Sequence, residues 1–70
     1  MLIRLYYNGK DTVFQCRRAE IVEDGIIFHQ TVLDDRIRVL MDHKTAMSYM
    51  NKLFKGENLD LRKFETHKTW

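Results

Sequence analysis

Three polar turn signals divide the first 41 residues into short apolar segments, and this spacing constrains the fold more than any other feature. The signals are Asn8-Gly9, Asp24-Gly25 and Asp34-Asp35. Asn, Asp and Gly favour hairpin turns because they tolerate the backbone angles that tight turns require. The segments between them are rich in β-branched and aromatic residues, which favours strands. The predicted strands are 1–7, 12–22, 26–33 and 36–41.

The second of these segments changes phase partway along. Phe14 and Cys16 share one face of a strand, whereas Ala19 and Ile21 fall on the other face. One extra residue in a β-bulge would bring both pairs to the same side, because side chains alternate with a period of two. We therefore predict a bulge at the two arginines between them.

Residues 43–55 show the spacing of an amphipathic helix. Asp42 precedes them and is a good N-cap, because its carboxylate can accept a hydrogen bond from an early backbone N–H. Apolar residues then recur at intervals of three and four positions, which predicts one buried stripe. The stripe consists of Ala46, Met47, Met50, Leu53 and Phe54.

The tail, residues 57–70, is compatible with two structures. Leu59 and Leu61 alternate as in a short strand, whereas Asn58 is also suited to capping a turn of helix. The alternation favours extended structure. The whole chain, residues 1–70, is therefore predicted to be a single α+β domain. It would contain a four-stranded antiparallel β-meander, with the option of a fifth C-terminal strand, and one amphipathic helix packed on one face.

A single helix covers only part of a sheet, so we expect a second apolar surface. The tail or another molecule would cover that surface. The residues predicted to lie on it are Ile3, Leu5, Tyr7, Ile27 and Leu33.

The composition of the 70-residue chain excludes several classes of protein. Cys16 is its only cysteine, so there is no disulfide scaffold, and a lone reduced thiol is typical of a cytoplasmic protein. No apolar run approaches the roughly 18 residues of a transmembrane helix. Arg4 interrupts the apolar start, where a secretory signal would need its hydrophobic core. Hydrophobic residues make up 44% of the chain, which indicates a folded domain.

The sequence shows no motif for catalysis, for a metal or for a cofactor, so we predict a protein that is not an enzyme. Its three glycines are scattered rather than gathered in a phosphate-binding loop. Cys16, His29, His43 and His67 do not have the short spacings of zinc ligands. A small ribonuclease-type toxin that uses His29 or His43 for acid–base work is the third alternative.

The leading hypothesis is a binding module that acts through protein–protein contact. A chain this short buries only about 60% of the surface that its unfolded form exposes, so a partner or a second copy would add stability. We expect the module to form a homodimer, and the role of an inhibitor or accessory factor of a larger assembly, of the kind that phages and mobile elements encode, would fit it. The expected interface residues are Tyr7, Leu59, Leu61, Phe64 and Trp70.

The alternative hypothesis is a nucleic-acid-binding regulator. The formal net charge is +2, but residues 36–70 carry eight basic and four acidic residues, whereas residues 1–35 carry four basic and six acidic ones. A basic surface attracts phosphates, and neighbouring tyrosines can stack on bases. The expected surface consists of Arg4, Arg18, Arg36, Arg38, Lys44, Lys52 and Lys55. No membrane partner is expected.

Overall fold

Residues 1–30 and 36–69 are described by the computed structural model, which confirms the α+β fold class. Four strands come first: β1 (Leu2–Tyr7), β2 (Lys10–Val22), β3 (Gly25–Gln30) and β4 (Arg36–Leu40). The helix α1 (His43–Phe54) follows, and then β5 (Leu59–Asp60) and β6 (Thr66–Thr69). The predicted turn at 34–35, the end of the predicted third strand at 31–33 and Trp70 lie outside the described residues.

The strands form one six-stranded sheet in the order β5-β1-β2-β3-β4-β6. The four-stranded meander is thus confirmed, and the tail adds two edge strands where the sequence suggested one at most. All neighbouring strands are antiparallel except β5 and β1. The Thr66 hydroxyl of β6 donates a hydrogen bond to the Tyr6 carbonyl of β1. The sheet therefore curls until its last strand reaches its first, like an incompletely closed barrel.

The predicted bulge is present in β2. Cys16 pairs with Gln30 and Arg18 pairs with His29, so Arg17 is the extra residue. The apolar side chains before and after the bulge consequently face the same core. β2 pairs with β1 along its first part and with β3 along its second, and the bulge lies where these pairings meet.

The glycines of the two hairpins serve different purposes. Asn8 and Gly9 both have positive φ, +54° and +75°, which matches the tight turn predicted between β1 and β2. Gly25 instead begins β3, where a Cβ atom would lie 1.9 Å from the backbone oxygen of Val39. Its missing side chain therefore permits the close approach of β4, and the left-handed backbone suggested by the sequence is not used there.

The core lies between one face of the curled sheet and α1. Ile3 and Leu5 are fully buried in it, and Tyr7 packs against it. These three residues were expected on the opposite face, and the structure corrects that expectation. The register explains the difference, because Ile3 pairs with Phe14, whose side chain faces the core on the neighbouring strand.

The opposite face of the sheet carries charged side chains around two buried residues, Ile27 and His29. Ile27 was expected on this face, and it lies there between Glu20 of β2 and Arg38 of β4. Leu33, the other residue expected here, lies outside the described residues.

The start of α1 agrees with the sequence-based prediction. Asp42 accepts a hydrogen bond from the backbone N–H of Thr45 at 2.8 Å, so Asp42 is the N-cap. Hydrogen bonding by the side chain and then by the backbone N–H of Thr45 lowers the pKa of the Asp42 carboxyl. The helix ends at Phe54, one residue earlier than predicted.

The buried stripe of α1 is rotated relative to the prediction. Its buried and half-buried members are Ala46, Tyr49, Met50 and Leu53. Met47 and Phe54 were assigned to the stripe from the sequence, but both are exposed. At 100° per residue they lie on one flank of the stripe, whereas Tyr49 lies on the other flank. The helix therefore leaves apolar surface uncovered on the flank of Phe54.

Candidate functional site

Phe54 is the most exposed large apolar side chain in the described part of the chain, with 83% of its surface accessible. It is the last residue of α1, and Met47 precedes it by two turns on the same flank. Met1 is exposed as well. Single exposed apolar side chains are ordinary on protein surfaces, but several of them beside a groove are typical of an interaction site.

Such a groove, with a volume of about 160 Å³, lies between the end of α1 and the bulge of β2. The residues that line it come from β2, from α1 and from the first position of the chain. They are Met1, Cys16, Arg17, Arg18, Ala19, Met50, Leu53 and Phe54. The surface is mostly apolar, and it depends on both the bulge and the helix.

The polar part of the groove is basic. Arg17 and Arg18 line it, and no Asp or Glu is among its lining residues in the described ranges. The guanidinium of Arg18 lies on the other face of the sheet, where it donates to Glu20 at 2.8 Å and both groups are exposed. Exposed ion pairs of this kind contribute little stability and exchange readily with solvent. The lining of the groove in the described residues is therefore basic rather than acidic.

The thiol of Cys16 belongs to the structure of this groove. Its Sγ donates to the carbonyl of Arg18 at 3.3 Å, across the bulge. Burial raises the pKa of the Cys16 thiol, so the group is neutral at physiological pH. A buried neutral thiol packs as a small apolar side chain, as the sequence suggested.

The residues expected to form a protein interface are dispersed by the structure. Leu59 and Leu61 are buried in the core, because β5 inserts beside β1 and places them under α1. They are therefore unavailable to a partner of the folded chain. Tyr7 and Phe64 are half-buried and pack against the core. Trp70 lies outside the described residues.

The four arginines of the predicted nucleic-acid surface lie on the face of the sheet that points away from α1. Arg18 and Arg36 flank His29 in the strand register, and Arg38 lies two residues further along β4. Arg4 lies on β1, in the other part of the curled sheet. The structure therefore brings three of the four together.

Acidic neighbours reduce the charge of that surface. Arg4 donates to both carboxylate oxygens of Asp11, and this contact lowers the pKa of Asp11. Arg38 lies 3.3 Å from a carboxylate oxygen of Asp24, and its Nε is buried without a hydrogen-bond partner in the described residues. Pairing of this kind leaves less positive charge for phosphates than the sequence implied.

The three lysines of the same prediction, Lys44, Lys52 and Lys55, are exposed on α1. They lie on the helix, whereas the arginine surface lies on the far face of the sheet. The amino group of Lys52 lies 5.3 Å from the centre of the Tyr49 ring. The lysines and arginines therefore form two surfaces rather than one continuous stripe.

The histidines considered for acid–base chemistry occupy unlike positions. His29 is only 4% exposed, and its Nε2 lies 3.3 Å from a carboxylate oxygen of Glu20 and 3.4 Å from a guanidinium nitrogen of Arg18. His43 is exposed at the first position of α1. Within the described ranges, no three His, Cys, Asp or Glu residues come together as a metal site would require.

Sequence reasoning missed Phe54 and Met47 as surface residues, because it placed them in the buried stripe. The width of the apolar arc on α1 could have revealed them. The arc contains six apolar residues when Tyr49 is included, which is more than one narrow sheet can cover.

Comparison with protein-family models, with curated proteins and with solved structures finds no match for this chain. Among the described residues, no helix has the length and apolar character needed to cross a membrane.

Proposed function

We propose that this protein is a non-enzymatic binding module and that the groove beside Phe54 receives an acidic, amphipathic segment of a partner protein. The exposure of Phe54 next to a mostly apolar groove is the observation that supports this proposal. Large aromatic side chains are common anchors of protein interfaces, because they bury much area at a small entropic cost.

The shape of the groove suggests how the contact forms. A volume of about 160 Å³ is too small for a whole helix. The partner would therefore place about one apolar side chain in the groove, while Phe54 and Met47 pack against its neighbours at helical spacing.

The charges at the groove define the partner further. Arg17 and, where it releases Glu20, Arg18 would meet Asp or Glu residues that flank the apolar anchors. Complementary charges of this kind mainly raise the association rate and exclude basic segments.

The structural roles of three carboxylates support the proposal that the protein is not an enzyme. Asp42 caps α1, and Asp11 and Asp60 each hold an arginine. These contacts account for carboxylates that acid–base chemistry would otherwise use. The proposal also keeps the cytoplasmic location, where the buried thiol of Cys16 stays reduced.

Selection from a library of random peptides tests the proposal. We expect the enriched peptides to combine aromatic or aliphatic anchors at helical spacing with Asp and Glu. Their affinity should fall about tenfold or more for Phe54→Ser, as for other interface anchors. Val13→Ser is the matched control, since Val13 is 55% exposed on the opposite face of the sheet.

Three outcomes would contradict the proposal. The first is that no peptide is enriched. The second is that the enriched peptides bind wild type and Phe54→Ser equally. The third is a concentration-dependent dimer, seen by light scattering, that Phe54→Ser abolishes; this result would assign the groove to a second copy of the chain.

A further inference from the structure

A second concave surface lies on the other flank of α1. It is an open depression of about 480 Å³, where the helix, β1 and the segment between β5 and β6 meet. Its lining residues are Tyr6, Tyr49, Asp60, Arg62 and Lys63. This volume is within the usual range of small-ligand sites.

Asp60 and Arg62 form the rigid part of the depression. Both carboxylate oxygens of Asp60 accept hydrogen bonds from the guanidinium of Arg62, at 2.9 and 2.8 Å. Asp60 also accepts from the backbone N–H of Arg62 at 3.2 Å, which fixes the turn after β5. The Arg62 contacts lower the pKa of the Asp60 carboxyl to about 2. The guanidinium is therefore held as a flat surface at this position.

Aromatic rings and lysines surround this pair. Tyr6 is 46% exposed, and Tyr49 packs edge-on against Phe64 with 5.6 Å between the ring centres. Lys52 and Lys63 place their amino groups 5.3 Å from the rings of Tyr49 and Phe64, respectively. Both lysines thus lie next to aromatic surface, where a ligand with a planar and an anionic part would meet both.

We propose that this depression binds a nucleotide unit, with the base against the tyrosine rings or the Arg62 plane and the phosphate on Lys63 and Lys52. The inference goes beyond the protein-binding groove and does not depend on it. Bases of every kind stack on aromatic rings and on guanidinium planes, and lysines contact phosphate without reading sequence.

The charge balance of the site allows a phosphate despite the presence of Asp60. Arg62 pairs with that carboxylate through two hydrogen bonds and lies 3.9 Å from Asp11, which itself pairs with Arg4. Lys63 and Lys52 therefore supply the excess positive charge. An anion without a ring would leave the tyrosines unused, and an acidic peptide would find no flat partner for them. A nucleotide uses both features.

The inference places nucleotide binding away from Arg18, Arg36 and Arg38, whereas Arg4 pairs in register with Asp60 beside the depression. The proposed phosphate contact includes Lys52, which lies beside the Tyr49 ring, whereas the lining residues of the depression are different from those arginines. Three of the arginines are paired with Asp11, Glu20 and Asp24. Binding at the two surfaces can therefore be separated by mutation.

Fluorescence anisotropy with labelled oligouridylate and oligothymidylate at two salt concentrations tests the inference. Tyr6→Ala should weaken binding about tenfold, whereas Tyr6→Phe should retain it, because stacking needs the ring and not the hydroxyl. Lys63→Gln should weaken binding and lower the slope of log affinity against log salt by about one. AMP and UMP serve as competitors.

The competitors distinguish the two sources of a nucleotide. A mononucleotide that binds as tightly as the oligonucleotides supports a free nucleotide as the ligand. Tighter binding of the oligonucleotides supports a single strand.

Control variants locate the site. Phe54→Ser should leave nucleotide binding unchanged, which separates this inference from the protein-binding proposal. Lys44→Gln, at the other end of α1, is the matched charge control. The inference is overturned if no nucleotide or oligonucleotide binds at low salt. It is also overturned if Lys44→Gln or Arg36→Gln weakens binding while Tyr6→Ala and Lys63→Gln do not.

Discussion

On one flank of α1, Phe54 and Met47 extend into solvent beside the groove. On the other flank, Tyr49 packs edge-on against Phe64, and both rings pack against the core. Phe54 and Met47 therefore contribute little to the packing of the fold, whereas Tyr49 and Phe64 are part of that packing. Mutations on the flank of Phe54 should therefore change binding without changing stability. Mutations on the flank of Tyr49 should change both.

The largest effect is expected at Leu53, which lies between the two flanks. Its side chain is buried in the core between α1 and the sheet, so Leu53→Ala should lower the free energy of unfolding by roughly 2–5 kcal/mol. Urea denaturation followed by circular dichroism measures this loss. A loss of stability below about 1 kcal/mol would show that the buried stripe does not hold α1 on the sheet. The contrast between a binding flank and a packing flank would then be wrong.

A smaller effect is expected when one phenylalanine is removed from each flank. Phe64→Ala should lower the free energy of unfolding by roughly 1–3 kcal/mol, since the ring is half-buried and contacts Tyr49. Phe54→Ala should change it by no more than about 0.5 kcal/mol. Thermal and urea unfolding of both variants measure the contrast. Equal losses would contradict the distinction between the flanks.

The smallest effect concerns pH and belongs only to the flank of Tyr49. The pKa of Asp60 is lowered from its ordinary 3.8 to about 2, so its contribution to stability is complete above about pH 4 and is lost as pH falls through 2. Asp60→Asn should therefore be less stable than wild type at pH 5 and equally stable near pH 2. Denaturation curves across this range measure the difference, and a gap that does not change with pH would contradict the assigned pKa.

The sequence predicted the elements whose signals are local. Asp42 caps the helix because the cap depends on its own side chain and a backbone N–H three residues on. The bulge in β2 was visible because the apolar pattern changes phase within one segment. Both features follow from residues that are neighbours in the chain.

Other features depend on contacts between distant segments. Leu59 and Leu61 are buried because β5 pairs in parallel with β1, more than fifty residues away, and no local pattern specifies this pairing. The depression joins Tyr6, Tyr49 and Arg62 only after the sheet has curled. The direction of the helix stripe was ambiguous for a related reason, because the sheet beneath α1 decides which apolar residues it covers.

The extra residue at Arg17 links two features of this chain that would otherwise vary separately: the core packing of β2 and the lining of the groove. If Arg17 paired as an ordinary strand residue instead, Ala19 and Ile21 would turn outward, and Ala19 would no longer contribute to the core or to the groove. A substitution in β2 changes one side chain of the core or of the groove and leaves the others in place. One further residue inserted beside Arg17 and paired in the ladder would turn the following side chains to the opposite face, so descendants of this chain should keep the length of β2 more strictly than the identity of its residues.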